Sequence, residues 1–544
     1  MKIPVVSSVV KISENRFGPD KTCKAKKKMK KFWFSFGQIV ILLCVLVLPL
    51  IAADYDIAIV GGRVIDPETG LDGIRNVGIK DGRITAVTSE KLTASRIINA
   101  GGRIVSPGFI DMHSHGQTIP AARMQALDGV TTGLELEAGM LPISAFYDEA
   151  GREGRPINYG ASVNWANARI ATFLNKEPDH DLDWFFASFK YPVWQNSISN
   201  DRQLKEISRM VEEGLDQGGL GIGFLLGYAP GTGRKEYVEI SRIAANRNLP
   251  TFTHARFLSM LEPNSSFEGM AEIISVAAAT GGKVHIVHLN SMSLRDIDSI
   301  GRMIKNAQKQ GLKISTEAYP YGAGSTGIGA AMFQGPNWRE RIGGITAANF
   351  DVGGKRLTEE EFKDLQQNKP ETETIIHFLD TTKPEDQETL DKSILFPGGV
   401  IASDGGTWAV EGKRVQKDIF PLPGNAWSHP RGAGTFSRFL RRYVRETSAV
   451  SLVEAIERMS FGPAKILEDS VPQMKKKGRI QVGADADVVI FDLATVSDKA
   501  TYAKPAQSSV GFDYVIVNGV VLAEKGKLNT SVMPGKPIRN QIKR

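Results

Sequence analysis

Apolar and polar positions along the chain fall into distinct regimes. Residues 55–64 and 74–87 are short apolar or alternating runs with turns at Gly61-Gly62 and Asp81-Gly82, the pattern of a small β-meander. Residues 479–492 and 514–523 repeat it near the far end, the second run turning at Asn518-Gly519, a hairpin dipeptide. These flanks predict one sheet domain built from both chain ends. Between them, strand-like runs at 105–112, 130–137, 219–224, 250–254, 284–288, 313–318 and 400–402 alternate with helical periodicity at 202–217, 268–280, 294–310 and 451–458. Alternation of this kind predicts a parallel sheet, and its length favours an α/β fold of the closed (β/α)8 TIM-type barrel. The rhythm breaks between 327 and 399, most clearly over the charged, irregular stretch 337–392, which is expected to be an insertion near the last barrel strands acting as a lid. The predicted order is a leader (1–53), the first part of a β-sandwich (54–107), the barrel (108–470) and the rest of the sandwich (471–544).

Composition changes this picture mainly at the N-terminus. Hydrophobic residues make up 42% and charged residues 23% of 544, so the chain has enough apolar surface for a large core. The formal net charge of +7 is concentrated in residues 1–53, which carry +8 and leave the body at −1. The body therefore offers no electrostatic footprint for nucleic acid. Both cysteines, Cys23 and Cys44, also lie in the leader, so the body holds neither disulfides nor thiolate metal ligands. A basic run at 24–31, an uncharged apolar stretch at 32–53 and the small pair Ala52-Ala53 read as a secretory signal peptide, with an uncleaved membrane anchor as the alternative. Either one predicts a periplasmic or secreted body, with membrane contact only through this segment.

The chemistry lies at the ends of the apolar runs. Residues 109–115 read Phe-Ile-Asp-Met-His-Ser-His, and in a strand His113 and His115 share a face and can grip one metal ion. His254 ends the run 250–254, His288 ends 284–288, and Asp404 follows 400–402. Parallel barrels place active sites at the C-terminal ends of their strands, so these five residues are expected to converge. His285, three before His288, is expected on the opposite face, towards the outer helices. His180 and His377 stand without obvious partners. Trp184-Phe185-Phe186 and Trp194 read as packing.

This order of residues resembles the amidohydrolase superfamily, a barrel with a split β-sandwich. The strings 219–231 (GLGIGFLLGYAPG), 253–256 (THAR), 288–290 (HLN), 317–326 (EAYPYGAGST), 403–405 (SDG), 429–436 (HPRGAGTF) and 483–487 (GADAD) resemble the N-acyl-D-amino-acid deacylase (D-aminoacylase) family. The resemblance covers about 55–540. It departs at one important place: a metal-binding Cys of the family falls at Ala138 here. No Lys stands in the run 219–224 to replace it as a carboxylated bridge, which leaves Glu137 as the bridging or third ligand, with Glu135 second. The resemblance implies one or two divalent ions, zinc first, held by His113, His115, Glu137, His254, His288 and Asp404. A bound metal acidifies water and polarises an amide carbonyl. Asp404 is expected to act as general base and then acid. Tyr321 and Ser325 are implied as contacts to the substrate carboxylate. A family Lys that helps there is Asn290 in this chain, so Arg256 or Arg431 is expected to supply the charge. His429 either lines the site or braces a loop. The expected partner is a small N-acylated D-amino acid; the alternatives are a dipeptidase or cyclic-amide hydrolase, or a binding protein without catalysis.

Overall fold

The computed structural model describes residues 54–543. The leader, and with it the signal-peptide reading, lies outside the described residues. Among the described residues no helix is long and apolar enough to cross a membrane.

Both chain ends share one sheet. Tyr55–Asp66 pairs antiparallel with Leu71–Lys80 and parallel with Ile104–Pro107, and Ile104–Pro107 pairs antiparallel with Val488–Phe491. From there the sheet continues through Phe512–Val517, Val520–Glu524 and Lys527–Leu528, giving nine hydrogen-bonded strands. Alternate positions of several strands, such as Ile57, Ile59, Ile84, Val488 and Ile490, point into one buried core. The sheet curls around that core, since Ile84 N donates to Ala484 O and Gly483 N to Ile84 O.

The barrel has eight parallel strands in chain order: Phe109–Asp111, Val130–Met140, Asn158–Asn164, Ile222–Leu225, Pro250–His254, Lys283–Ile286, Ile314–Ala318 and Val400–Ile401. Asp404 N donates to His113 O at 2.8 Å, and a parallel bridge joins Ser114 to Gly405, so the last strand meets the first. The run 105–112, expected as one strand, is divided at Gly108. Its first part belongs to the terminal sheet and its second opens the barrel. A Cβ at Gly108 would lie 2.2 Å from the Thr131 hydroxyl, so only glycine lets the chain cross at that point. The strand Asn158–Asn164 has no counterpart among the expected runs. It reads Asn-Tyr-Gly-Ala-Ser-Val-Asn, too polar and small to signal burial, yet every residue in it is buried.

The stretch 327–399 is not irregular. Ala323–Gly327, Phe350–Val352, Lys355–Arg356 and Glu373–His377 form a four-stranded sheet, and Glu359–Asn368 and Pro384–Ile394 are helices. Phe333, Trp338, Phe350 and Phe362 pack as a cluster, with ring centroids 4.8–6.1 Å apart for five of the pairs. These anchors are too widely spaced along the chain to create a periodic signal. This sheet carries Ser325 on one strand and Glu373 on another into the mouth of the barrel.

Candidate metal centre

Five of the expected ligands surround one carboxylate. Glu137 Oε2 lies 3.2 Å from His113 Nε2 and 3.3 Å from His115 Nε2. Its Oε1 lies 2.9 Å from His254 Nδ1 and 2.8 Å from His288 Nε2. Asp404 Oδ1 stands 3.4 and 3.3 Å from the same two nitrogens of His113 and His115. The two oxygens of Glu137 thus face two different histidine pairs, as a bridging carboxylate does. The pairing register is irregular between Glu135 and Met140, which is where the strand delivers Glu137. A Cβ at Gly223 would sit 2.0 Å from the Glu137 carbonyl oxygen, so a glycine on the neighbouring strand makes room for this turn of backbone.

The outer nitrogens decide what the inner ones can do. His113 Nδ1 donates to Glu317, and His115 Nδ1 donates to Glu135 at 2.7 Å. His288 Nδ1 donates to Ser291 Oγ at 2.9 Å, and that hydroxyl donates to the His288 carbonyl. In the neutral rings, each Nε2 then presents a bare lone pair. Two such lone pairs, those of His113 and His115, stand 3.0 Å apart, and His288 Nε2 stands 3.1 Å from His254 Nδ1. Lone pairs crowded on carboxylate oxygens repel unless a cation lies among them. The surrounding carboxylates favour positive charge among these rings. Burial lowers the pKa of His113 and His115, but Asp404, Glu137 and Glu317 around the first, and Glu135 and Asp404 around the second, hold both well above the usual value. Burial acts the other way on Glu137 and Asp404, and the surrounding histidines, with Arg431 beside Asp404, hold both below the usual carboxylate range. The all-nitrogen-and-oxygen donor set fits a divalent ion such as zinc. His113, His115 and Asp404 form one group with ligand spacing, and His113, Glu137 and His288 a second. His254 Nε2 is buried without a hydrogen-bond partner.

Glu135 is not placed as a ligand. Besides His115 it accepts the backbone N–H groups of Ala138 and Gly139, at 3.2 and 3.3 Å. Ala138 lies next to Glu137 and lines the cavity. His288 and Asp404 both have left-handed backbone, at φ 30° and 54°. Such strain in non-glycine residues persists where the surroundings over-determine it.

The amidohydrolase family model matches residues 96–187 and 418–523. The chain is 28% identical to an N-acyl-D-glutamate deacylase of Alcaligenes xylosoxydans xylosoxydans over 526 residues, 89% of this chain and 96% of that one. It is 24% identical to a D-aminoacylase of the same organism, over 86% of this chain and 94% of that one. Over these stretches the chain is similar to the amidohydrolase family. A crystal structure of N-acyl-D-glutamate deacylase from Bordetella bronchiseptica, complexed with zinc and a phosphonate mimic of the tetrahedral intermediate, shares the fold. Its TM-score is 0.69 at 24% identity, covering 89% of this chain and 99% of that one.

The structure redistributes the expected substrate contacts. Arg431 is buried, with Nη2 2.8 Å from Asp404 Oδ1 and its guanidinium over the Tyr319 ring. Its Nε and Nη1 have no hydrogen-bond partner among the described residues. Arg256 does not reach the site: it donates to both oxygens of Glu272, at 2.8 and 2.7 Å, and to the carbonyls of Pro230 and Thr232. Asn290 braces the loop after the strand Ile314–Ala318, accepting from Tyr319 N and donating to the Tyr321 carbonyl. His429 is a brace as well. Its Nε2 donates to Ala323 O at 3.0 Å and its Nδ1 accepts from Arg431 N, while burial and Arg431 hold it neutral. Tyr321 turns away from the cavity, its ring under Arg438, and Tyr319 lines the cavity in its place. Ser325 lines the cavity and donates to Glu373 Oε1 at 3.2 Å.

Several participants had no role in the sequence reading. His285 is not among the outer helices. It lies in the barrel, with Nε2 3.0 Å from Glu317 Oε2 and Nδ1 2.8 Å from Ser315 Oγ. Strand parity fails here because the strand ends at Ile286 and His288 sits beyond it in left-handed backbone, so the two-residue count no longer holds. Glu317 joins His285 to His113 from the strand Ile314–Ala318, one residue before its end. Asp111 accepts the N–H groups of Ser403 and His113 and fixes the first and last strand ends together. Phe185 and Phe186 line the cavity beside Tyr228. His180 lies 3.0 Å from Glu149, at the outer mouth next to His115.

Proposed function

We propose that this protein is a metal-dependent hydrolase of the amide bond of N-acyl-D-amino acids, yielding a carboxylate and a D-amino acid. The observation that carries this reading is the convergence of four histidines on both oxygens of Glu137, beside Asp404 and an arginine with two free donors. His113, His115, Glu137, His254 and His288 would hold one or two divalent ions, zinc first, with Asp404 at their edge. A divalent ion there supplies a Lewis acid that polarises an amide carbonyl and acidifies water.

The chain's own groups do the rest. Asp404 is ionised, because Arg431 and the histidines stabilise its charged form. It accepts the proton of the attacking water and returns it to the nitrogen of the departing amine, which leaves poorly as an anion. Arg431 Nη2 fixes the Asp404 carboxylate, and its free Nε and Nη1, which point to different edges of the guanidinium, are donors for the carboxylate of the substrate. The guanidinium charge takes the part a lysine at position 290 would otherwise play. Glu317 and Glu135 orient His113 and His115 through their outer nitrogens. Phe185, Phe186 and Tyr228 wall the cavity and exclude water from it. We also place the enzyme outside the cytoplasm, on the pattern of the leader, which the cysteine-free body suits.

The test uses protein from Asp54 onward, reconstituted with zinc. Amine release is followed from paired D and L forms of N-acetyl amino acids, with wild type and Asp404→Asn. The reading predicts turnover of the D forms and its loss in the variant with zinc retained. Turnover of L forms alone, or none at all with zinc in place, sinks it.

A further inference from the structure

Six of the eight barrel strands, or the residues beside them, send side chains into one buried apolar cluster. Side chains from so many strands meet in the interior of a closed barrel, which is packed and not hollow. Met112, Leu136 and Val287 belong to this cluster, and each stands immediately before a candidate metal ligand: His113, Glu137 and His288. The cluster is therefore the floor of the metal centre. A close-packed floor transmits displacement to whatever rests on it. From below it is sealed by Leu467 of the helix Gly462–Glu468 and by Met474. It is also sealed by a residue from the far end of the chain, Ile538, which is 2% exposed.

The C-terminal tail reaches this floor through a seat built for it. Tyr159 N donates to Lys536 O at 3.2 Å and Ile538 N to Tyr159 O at 2.7 Å, so the tail runs parallel to the start of the strand Asn158–Asn164. Tyr147 Oη donates to the Ile538 carbonyl at 2.6 Å. On the other side Asn540 N donates to Gly218 O at 3.0 Å and Arg539 Nε to Gln217 O at 2.9 Å. The third and fourth barrel strands pair with each other at Val163 and Asn164, and the tail fills the wedge beneath that pairing. Two glycines admit it. A Cβ at Gly160 would lie 2.4 Å from the Ile538 carbonyl oxygen, and one at Gly535 would lie 2.0 Å from the Ile157 carbonyl oxygen.

Resting on the metal-centre reading above, we propose that the C-terminal tail is a plug for the floor of the metal centre. Ile538 is a positioning residue, acting through the floor on the ligands that follow Met112, Leu136 and Val287. Shortening it leaves a hole into which the floor relaxes. Ligands held less firmly by their supporting shell bind metal less tightly.

The test measures the zinc Kd by competition with a chelating dye for wild type, Ile538→Ala, Gly160→Ala and Ile59→Ala, with circular dichroism to show that each is folded. Ile59 is fully buried in the core of the sheet built from both chain ends, so its variant carries the same truncation away from the barrel. Ile538→Ala should raise the zinc Kd about 10-fold. Gly160→Ala should raise it likewise, because its added methyl displaces the tail while Ile538 stays intact, and either variant serves if the other does not fold. Ile59→Ala should lose stability in urea and keep the wild-type zinc Kd. A folded Ile538→Ala or Gly160→Ala protein with the wild-type zinc Kd overturns the role of the tail. An equal rise in Ile59→Ala overturns it too, since the effect would then be one of general stability. Both results leave the metal centre standing. Failure of the folded wild type to bind zinc overturns the metal-centre reading and this inference with it.

Discussion

Glu317→Gln isolates the support beneath His113. The carboxylate accepts from His113 Nδ1 on one oxygen and faces His285 Nε2 at 3.0 Å on the other. Burial alone would raise its pKa, but the two histidines hold it far below the usual carboxylate range. Glutamine keeps the shape. Its carbonyl can still accept from His113, and its amide can donate to His285 Nε2 once that ring moves its proton to Nδ1, which can donate to Ser315 Oγ. What is lost is the negative charge that makes His113 a stronger donor to a cation. Such support is worth roughly 10- to 100-fold in metal affinity, which is about 1.4–2.7 kcal/mol. The assay is competition for zinc against a chelating dye at neutral pH, with circular dichroism to show that the variant is folded. A zinc Kd raised within that range, with amide hydrolysis largely recovered at saturating zinc, is the expected result. A folded variant with unchanged zinc affinity would refute the reasoning, because it would mean that Glu317 does not tune a ligand.

Arg256→Ala should cost about 3–5 kcal/mol in urea unfolding, since it removes a buried guanidinium from Glu272 and from the carbonyls of Pro230 and Thr232 together. Because Arg256 does not reach the cavity, KM should stay as in wild type under conditions where the variant is folded. Arg431→Lys keeps a charge but loses the planar spread of donors, so both a raised KM for N-acyl amino acids and a lowered kcat are expected, as the residue serves the substrate and Asp404 together. His377 is neutral in the fold, its pKa pushed down to about 4 by burial and then by Arg356. Its unfolded value is about 6.5. A depressed folded pKa gives stability that is complete above the unfolded value and is lost as pH falls towards 4. Urea unfolding at pH 7 and pH 4.5 should therefore show a larger loss for wild type than for His377→Gln.

The parts that could be read from the sequence share one property: a polar residue ending an apolar run. His113, His115, His254, His288 and Asp404 stand out because the strands before them are continuous and hydrophobic. Glu137 required a further step, the family resemblance and the alanine at 138. Glu317 fails that criterion, because it lies inside a strand, Ile314–Ala318, whose other residues include Ser315 and Thr316 and make no apolar run. The strand Asn158–Asn164 is hidden by its small polar residues, whose burial depends on the neighbouring strands and not on their own hydrophobicity. His285 and His288 were assigned opposite faces by a parity rule that stops where the strand stops. Tyr319 and Tyr321 exchange roles because Pro320 lies between them in a tight turn, with Tyr321 N donating to Tyr319 O at 2.9 Å. Arg256 is a candidate substrate contact in the sequence because arginine binds carboxylates bidentately and position 290 carries no charge. Its carboxylate partner, Glu272, lies on the next helix, Ser266–Thr280, and nothing local reveals that pairing.

The central claim is that Glu137 joins two histidine pairs around divalent metal. Anomalous diffraction at the zinc edge, on crystals of protein reconstituted with zinc, tests it most directly. The account predicts anomalous density against Glu137, with His113 and His115 on one side or His254 and His288 on the other, and both sides filled if two ions bind. Zinc bound in stoichiometric amount but away from the Glu137 carboxylate would contradict it.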